Sequence, residues 1–152
     1  MFRGVAELSL DAKGRMAMPV RYRETLLESC AGRLVITIDI AEKCLAIYPL
    51  PEWEAIQLKL DALPSLNPKT AMVKRLLMGN ATDVEMDANG RLLIPTKLRK
   101  HAELDKKAVI AGQGKKFELW DEEAWDKRCQ AWQQEINLDE GVMPVELESL
   151  SL

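Results

Sequence analysis

The chain carries one segment of its sequence twice, and this duplication limits the folds that it can adopt. LSLDAKGRMAMPVRYR occupies residues 8–23, and VEMDANGRLLIPTKLR occupies residues 84–99. The segments align without a gap and share Asp, Ala, Gly, Arg, Pro and Arg at matching positions. Self-similarity of this kind indicates two copies of one supersecondary unit. We therefore expect a pseudo-symmetric fold.

The similarity continues beyond the motif. RLVITIDI at 33–40 corresponds to KAVIAGQG at 107–114, and CLAIYPLPEWEAI at 44–56 corresponds to KFELWDEEAWDKR at 116–128. Short runs rich in Val, Ile and Leu predict strands, so each copy reads strand, turn, strand, short helix, strand, strand, helix. Trp53 and Trp125 occupy equivalent places beside acids. We interpret them as core or subunit-contact anchors rather than base-stacking platforms.

A helix is predicted between the copies, in NPKTAMVKRLLMGN. Asn67 is the expected N-cap, Pro68 the first helical residue and Gly79 the C-terminal stop. The last stretch, NLDEGVMPVELESLSL, has no clear period, so we expect a mobile or partner-bound tail. The predicted organisation is a first module at 1–54, a helical linker at 55–80, a second module at 81–127, and a helical end with an acidic tail at 128–152.

Composition excludes several classes of protein. With 152 residues, 47% of them hydrophobic and 30% charged, the chain resembles a soluble globular domain. No apolar run reaches the roughly 20 residues of a membrane span, and the N-terminus does not resemble a signal peptide. Three cysteines without a CxxC pair predict neither a disulfide framework nor a zinc site. We expect a cytoplasmic protein.

The duplicated motif has the chemistry of a hairpin tip. DAKG and DANG lie between predicted strands, where a type I turn followed by a left-handed residue is a common connection. Gly14 and Gly90 suit the left-handed position because they lack a Cβ. Asp11 and Asp87 can accept hydrogen bonds from turn amides and so shape the tip. Each tip is followed at once by an arginine.

Two interpretations of Arg15 and Arg91 remain open. They can brace the turn by pairing with an acid, or they can present a guanidinium to phosphates or to guanine O6 and N7. Net charge is −3 with a pI near 5.3, but cations cluster around both motifs. The expected phosphate contacts are Arg3, Lys13, Arg21, Arg23, Lys97 and Arg99. Because Lys13 stands where the second copy has Asn89, we favour the first motif as the one that faces DNA.

These features resemble the MraZ family of bacterial transcriptional regulators. The resemblance rests on LDAKGRMAMPVRYR, YPLPEWE and MDANGRLLIPTKLR, and it covers nearly the whole chain, loosening in the tail. The family's Asp-x-x-x-Arg motifs correspond to Asp11 with Arg15 and to Asp87 with Arg91. The resemblance implies a mainly β fold with helices (α+β), in which tandem swapped-hairpin modules of the SpoVT-AbrB type form a double-psi β-barrel.

The same resemblance implies a function. It predicts a ring-shaped homo-oligomer that binds repeated double-stranded DNA sites and represses the division and cell-wall genes, its own gene included. Such a protein would be cytoplasmic and nucleoid-associated. Arg15 is the main candidate for base contact, and Lys13 and Arg3 are expected nearby for phosphates. Arg91 with Asp87 is the secondary candidate. No cofactor, metal, membrane or small-molecule substrate is expected.

Other function classes have weaker support. The paired aspartates suggest an aspartic-protease dyad, but glycine follows three residues after each aspartate, and the adjacent arginine would keep the carboxylate ionised. His101 lies in KLRKHAEL at a helix end, where a surface or capping role is expected. Neither a phosphate loop nor a metal-ligand cluster is visible. An oligomeric adaptor that binds protein partners through its acidic half is the alternative to DNA binding.

Overall fold

The computed structural model describes residues 1–138 and 143–152, and the elements follow the predicted order. The first copy contains β1 (Val5–Ser9), β2 (Arg15–Ala17), α1 (Val20–Cys30), β3 (Arg33–Ile38), β4 (Leu45–Pro49) and α2 (Leu50–Asp61). Helix α3 (Pro68–Gly79) connects the copies. The second copy contains β5 (Thr82–Glu85), β6 (Arg91–Leu93), α4 (Thr96–His101), β7 (Lys107–Gly112), β8 (Phe117–Asp121) and α5 (Glu122–Leu138), and α6 (Val145–Glu148) follows.

The two copies exchange their first strands. Six strands form an antiparallel sheet in the order β1-β7-β8-β4-β3-β5. Strand β1 pairs with β7 of the second copy, and β5 pairs with β3 of the first copy. Neither copy therefore completes its part of the sheet alone. The duplication in the sequence becomes one interlocked sheet rather than two separate sheets.

A second, two-stranded sheet joins the segments that follow the tips. Strands β2 and β6 are antiparallel, with Arg15 opposite Leu93 and Ala17 opposite Arg91. The α+β class is confirmed, since helices accompany a sheet of antiparallel pairs. Within residues 1–138 and 143–152 the large sheet ends at β1 and β5 and no barrel closes, so the double-psi barrel is not confirmed.

The hydrophobic core lies behind the short strands. Met16, Met18, Leu92 and Ile94 are fully buried, whereas the residues beside them on β2 and β6 are partly or wholly exposed. This alternation follows from the two-residue period of a strand. It anchors one face of β2 and β6 in the core and turns Arg15 and Arg91 toward solvent.

Local signals in the sequence are largely reproduced. The side chain of Asn67 accepts a hydrogen bond from the Lys69 amide at 2.9 Å, as expected of the N-cap of α3. Gly79 is the last residue of that helix. Trp53 is 4% exposed, and its ring centroid lies 5.7 Å from that of Tyr48, which confirms it as a core anchor.

Contacts divide the chain into two compact units, Met1–Glu122 and Glu123–Leu152. In the second unit, the rings of Trp125 and Trp132 meet edge-on at 6.1 Å on α5. The expected tail contains the helical turn α6, which the sequence did not predict, and its residues 139–142 lie outside the described part. None of the described helices is long and apolar enough to span a membrane.

Candidate nucleic-acid interface

The first tip is a turn closed by its own aspartate. The Asp11 carboxylate accepts hydrogen bonds from the backbone amides of Lys13 at 3.0 Å and Arg15 at 2.9 Å. The Gly14 amide donates to the Asp11 carbonyl at 2.9 Å. Gly14 has φ +84°, in the left-handed region that favours glycine. The Asp11 side chain and the Gly14 backbone thus fix where β2, and Arg15 with it, begins.

The second tip repeats this geometry. Asp87 accepts from the amides of Asn89 and Arg91, both at 2.9 Å, and Gly90 has φ +76°. The Gly90 amide donates to the Asp87 carbonyl at 2.9 Å. The turn chemistry predicted from Asp-x-x-Gly-Arg is therefore present in both copies. Backbone geometry does not distinguish the two tips.

Each tip arginine is paired with the aspartate of its own turn. Arg15 Nε lies 2.7 Å from Asp11 Oδ2, and Arg91 Nε lies 3.1 Å from Asp87 Oδ2. This is the ion pair that the bracing interpretation predicts. The side chains of Arg15 and Arg91 are 31% and 36% exposed. Within the described residues their terminal guanidinium nitrogens have no hydrogen-bond partner, so the brace leaves both forks available to a ligand.

The carboxylates of the tips are held in their ionised form. The amide of Arg15 is the main cause that lowers the pKa of Asp11 below its usual value of 3.8. The amide of Arg91 has the same effect on the pKa of Asp87. Hydrogen bonds to the charged form favour that form. A carboxylate dyad that shares one proton is therefore contradicted by the electrostatics of both turns.

The first copy also supports the second tip. The amide of Met18 donates to the Gly90 carbonyl at 2.8 Å, and the Met18 carbonyl accepts from Arg23 Nε at 2.7 Å. A Cβ built on Gly90 would lie 2.4 Å from that Nε. Arg23, expected as a phosphate contact, therefore packs against the glycine of the opposite motif.

The reciprocal contact supports the first tip. The amide of Ile94 donates to the Gly14 carbonyl at 3.0 Å, and the Ile94 carbonyl accepts from Arg99 Nε at 3.0 Å. Arg99 also donates through one terminal nitrogen to Thr96 Oγ1 at 2.9 Å. A Cβ on Gly14 would lie 2.3 Å from Arg99 Cζ. Sequence spacing could not reveal the contacts of Gly14 with Ile94 and Arg99, because they join residues of different copies.

The remaining expected cations lie on separate elements, and Lys97 is exposed on α4. Lys13 is exposed on the first tip. Arg3 precedes β1 whereas the tip follows it, so the strand, roughly 13 Å long, separates Arg3 from the tip. Arg21 lies with Arg3: its guanidinium is 3.1 Å from where a Cβ of Gly4 would be. A phosphate contact by Arg3 stays a prediction, at a position one strand away from the first tip.

A cluster that the sequence analysis missed lies at the start of β4. Potential metal-ligand atoms of Asp39, Cys44 and Glu118 lie within 4.8 Å of one another; the first two belong to the connection between β3 and β4, and Glu118 belongs to β8. Burial raises the pKa of the Cys44 thiol. Lys116 Nζ stands 3.9 Å from Asp39 and competes with any cation there, so we assign the cluster no ligand.

His101 differs from its expected surface or capping role. It is the last residue of α4 and is half-buried. Its Nε2 atom is buried and has no hydrogen-bond partner among the described residues. The structure therefore does not place His101 in an exposed position.

Comparisons with known proteins agree with the duplicated architecture. The family model described as "MraZ protein, putative antitoxin-like" matches residues 1–76 and again residues 77–142. The transcriptional regulators MraZ of Halorhodospira halophila and Pseudomonas aeruginosa are 53% and 54% identical to this chain. That of Azotobacter vinelandii is 53% identical. Each alignment covers 152 residues, the whole of both chains. The chain belongs to the MraZ family.

Proposed function

We propose that this chain is a DNA-binding transcriptional regulator and that the first tip reads the DNA. The observation that carries the proposal is the state of Arg15: its Nε is fixed on Asp11, while its terminal nitrogens point from a rigid turn without a partner in the described residues. The names of the relatives, all transcriptional regulators, support the functional class.

The chemistry of the guanidinium suits this role. Guanine presents O6 and N7 side by side in the major groove, and an arginine fork can donate to both. A side chain that is already oriented loses less entropy when it forms those bonds. Asp11 supplies that orientation through Arg15 Nε, and Gly14 gives the turn its shape. Exposed Lys13 adds a phosphate contact beside the fork.

The modest charge of the chain calls for several subunits on the DNA. A net charge of −3 gives one subunit little nonspecific attraction to phosphate. A ring-shaped homo-oligomer on repeated sites would gain roughly 10²- to 10⁴-fold through effective concentration. The pairing of β2 with β6 supports a barrel-like module of the double-psi type, because it joins the two motifs directly.

The regulated genes follow from the family resemblance. The proposed target is the promoter of the division and cell-wall genes, including the gene of this protein, and the proposed effect is repression. A regulator of this kind would be nucleoid-associated in the cytoplasm. Arg91 of the second tip is the secondary candidate for base contact. Arg3 and Arg21 would contact DNA only at a distance from the first tip.

The test compares Arg15→Ala with Arg91→Ala, which removes the equivalent group from the equivalent turn. Fluorescence anisotropy would measure binding to the DNA upstream of its own gene and to a scrambled duplex, across salt concentrations. Wild type should prefer the native duplex. Arg15→Ala should lose about 1–3 kcal/mol of that discrimination while the oligomeric state stays the same.

Each other outcome has a clear meaning. Retained preference in Arg15→Ala together with loss in Arg91→Ala would move the reading role to the second tip. Equal binding of wild type to both duplexes would overturn DNA recognition and favour the adaptor that binds protein partners. Size-exclusion chromatography with light scattering, run on every variant, excludes disassembly as the cause of a loss.

A further inference from the structure

The two arginines that follow the motifs, Arg23 and Arg99, each contact the tip of the opposite copy. Both are only partly exposed, and both donate through Nε to a backbone carbonyl of their own copy. In addition, their guanidinium groups lie against the glycines of the opposite tips. The tip arginines Arg15 and Arg91 instead pair with the aspartate of their own turn.

The contact at the first tip shows what such an arginine does. Three guanidinium atoms of Arg99 lie 2.3–2.6 Å from the position that a Cβ of Gly14 would take. Only a residue without a side chain admits so close an approach. The plane of Arg99 therefore covers the residue whose left-handed conformation sets the direction of Arg15.

A backbone bridge fixes Arg99 in this place. The Ile94 amide donates to the Gly14 carbonyl, and the Ile94 carbonyl accepts from Arg99 Nε, both at 3.0 Å. Ile94 is fully buried and cannot shift without disturbing the core. Gly14, Ile94 and Arg99 therefore each contact the other two. Movement of the first tip would break at least one of these contacts.

The second tip has the mirror arrangement. Arg23 lies over Gly90, and Met18 takes the place of Ile94, with hydrogen bonds of 2.8 Å to Gly90 and 2.7 Å from Arg23. Met18 is also fully buried. The same arrangement therefore occurs twice. In each case the arginine that covers a tip belongs to the other copy.

We infer that Arg99 and Arg23 are positioning residues and that each one holds the tip of the copy to which it does not belong. Arg99 of the second copy holds the first tip in its DNA-reading shape, and Arg23 of the first copy holds the second tip. Specificity at one motif therefore depends on an arginine that lies beside the other motif in the sequence. The inference about specificity rests on the proposed function, whereas the crossed contacts can be tested without DNA.

The DNA-free test uses hydrogen exchange measured by mass spectrometry on the full oligomer. Arg99→Ala should increase exchange at residues 8–17 and leave exchange at residues 84–93 unchanged. The amides of Met18 and Ile94, which donate to the tip of the opposite copy, lie outside both ranges. Arg23→Ala should produce the opposite pattern. Increased exchange in the variant's own copy alone, or equal increases in both segments, would overturn the crossed assignment.

The DNA test separates positioning from direct binding of phosphate. Arg99→Ala should lower the preference for native over scrambled duplex by about tenfold or more. The slope of log affinity against log salt should stay as in wild type, whereas removal of a phosphate-binding cation would reduce it by about 1 for each subunit bound to the DNA. Arg23→Ala should leave the preference intact if the first tip alone reads DNA. A reduced slope or an unchanged preference in Arg99→Ala would refute positioning.

A second variant keeps the test informative if Arg99→Ala does not fold. Arg99→Lys keeps the aliphatic stem and the positive charge but loses the planar group that covers Gly14. Positioning predicts loss of preference in this variant too, and a phosphate role predicts that lysine substitutes. If wild type itself shows no preference, the proposed function fails, and the exchange pattern still decides whether the crossed contacts hold the tips.

Discussion

The two tips are almost the same turn in different surroundings. In both, an aspartate accepts two backbone amides at 2.9–3.0 Å and one arginine Nε. In both, a glycine with positive φ lies beneath an arginine of the opposite copy. Repetition of this detail over a separation of 76 positions shows that the turn is specified locally.

Two differences separate the tips. The first carries exposed Lys13 where the second has Asn89. Arg99, which covers the first tip, also donates a hydrogen bond to Thr96. Arg23, which covers the second tip, has Val20 at the position that matches Thr96. The first tip is therefore both more cationic and more firmly supported. In our proposal these differences favour the first tip as the one that reads DNA and leave the second tip a mainly structural role.

Substitution of the tip glycines should have the largest effect and should not distinguish the tips. Gly14→Ala and Gly90→Ala each place a Cβ in the left-handed region and 2.3–2.4 Å from an arginine. We expect each to lower the free energy of unfolding by about 1–3 kcal/mol, measured by urea denaturation. Gly79→Ala is the matched control, since Gly79 has open space around it and ends a helix. A loss at only one tip would contradict their equivalence.

Exchange of the tip residues Lys13 and Asn89 tests which tip meets DNA. Lys13→Asn should reduce the salt slope of DNA binding by about 0.9 for each subunit bound to the duplex, because each loses one cation that neutralises a phosphate. Asn89→Lys should leave the slope unchanged, because the second tip does not face DNA in our proposal. Both positions are exposed, so the free energy of unfolding should change little. An increase of the slope in Asn89→Lys would place both tips on the duplex.

The sequence predicted the contacts between residues that are close together in the chain. The hydrogen bonds within the first tip, from Asp11 to its turn amides and from the Gly14 amide to Asp11, join residues no more than four positions apart, so turn chemistry alone indicates them. Asn67 caps its helix for the same reason. The exchange of β1 and β5 between the copies lay beyond this reasoning, because identical strand patterns fit pairing within a copy equally well.

The same limit explains which contacts at the candidate site the sequence did not indicate. The duplicated arginines Arg23 and Arg99 look like exposed cations in the sequence, and only the strand exchange brings them over the opposite glycines. Arg3 is close to the motif in sequence, yet a strand holds it apart. The cluster of Asp39 and Cys44 with Glu118 depends on the pairing of β4 with β8.

A fall in pH should reduce the stability that the two tips contribute by similar amounts. The pKa values of Asp11 and Asp87 are lowered in the folded chain, so each contributes stability above about pH 3.8 that is lost as pH falls through the folded value. Asp11→Asn and Asp87→Asn should therefore each reduce the loss of unfolding free energy between pH 5 and about pH 3, measured by denaturant titration. DNA binding should show no titration of these groups between pH 6 and about pH 8. A response in only one variant would show that one ion pair is absent in solution.

The smallest expected effect concerns the residue that supports Arg99. Thr96→Val removes the 2.9 Å hydrogen bond to the guanidinium and makes the cover of the first tip resemble that of the second. Thr96 is exposed, so water competes for the bond, and we expect a loss of at most about 0.5 kcal/mol. Val20→Thr is the matched change beside Arg23 and should stabilise the second tip by a similar amount. Hydrogen exchange at the tips is the sensitive measurement: Thr96→Val should raise it at residues 8–17 and Val20→Thr should lower it at residues 84–93. If neither changes, Arg99 and Arg23 support their tips equally well through Nε, and Lys13 is left as the difference that assigns the first tip to DNA.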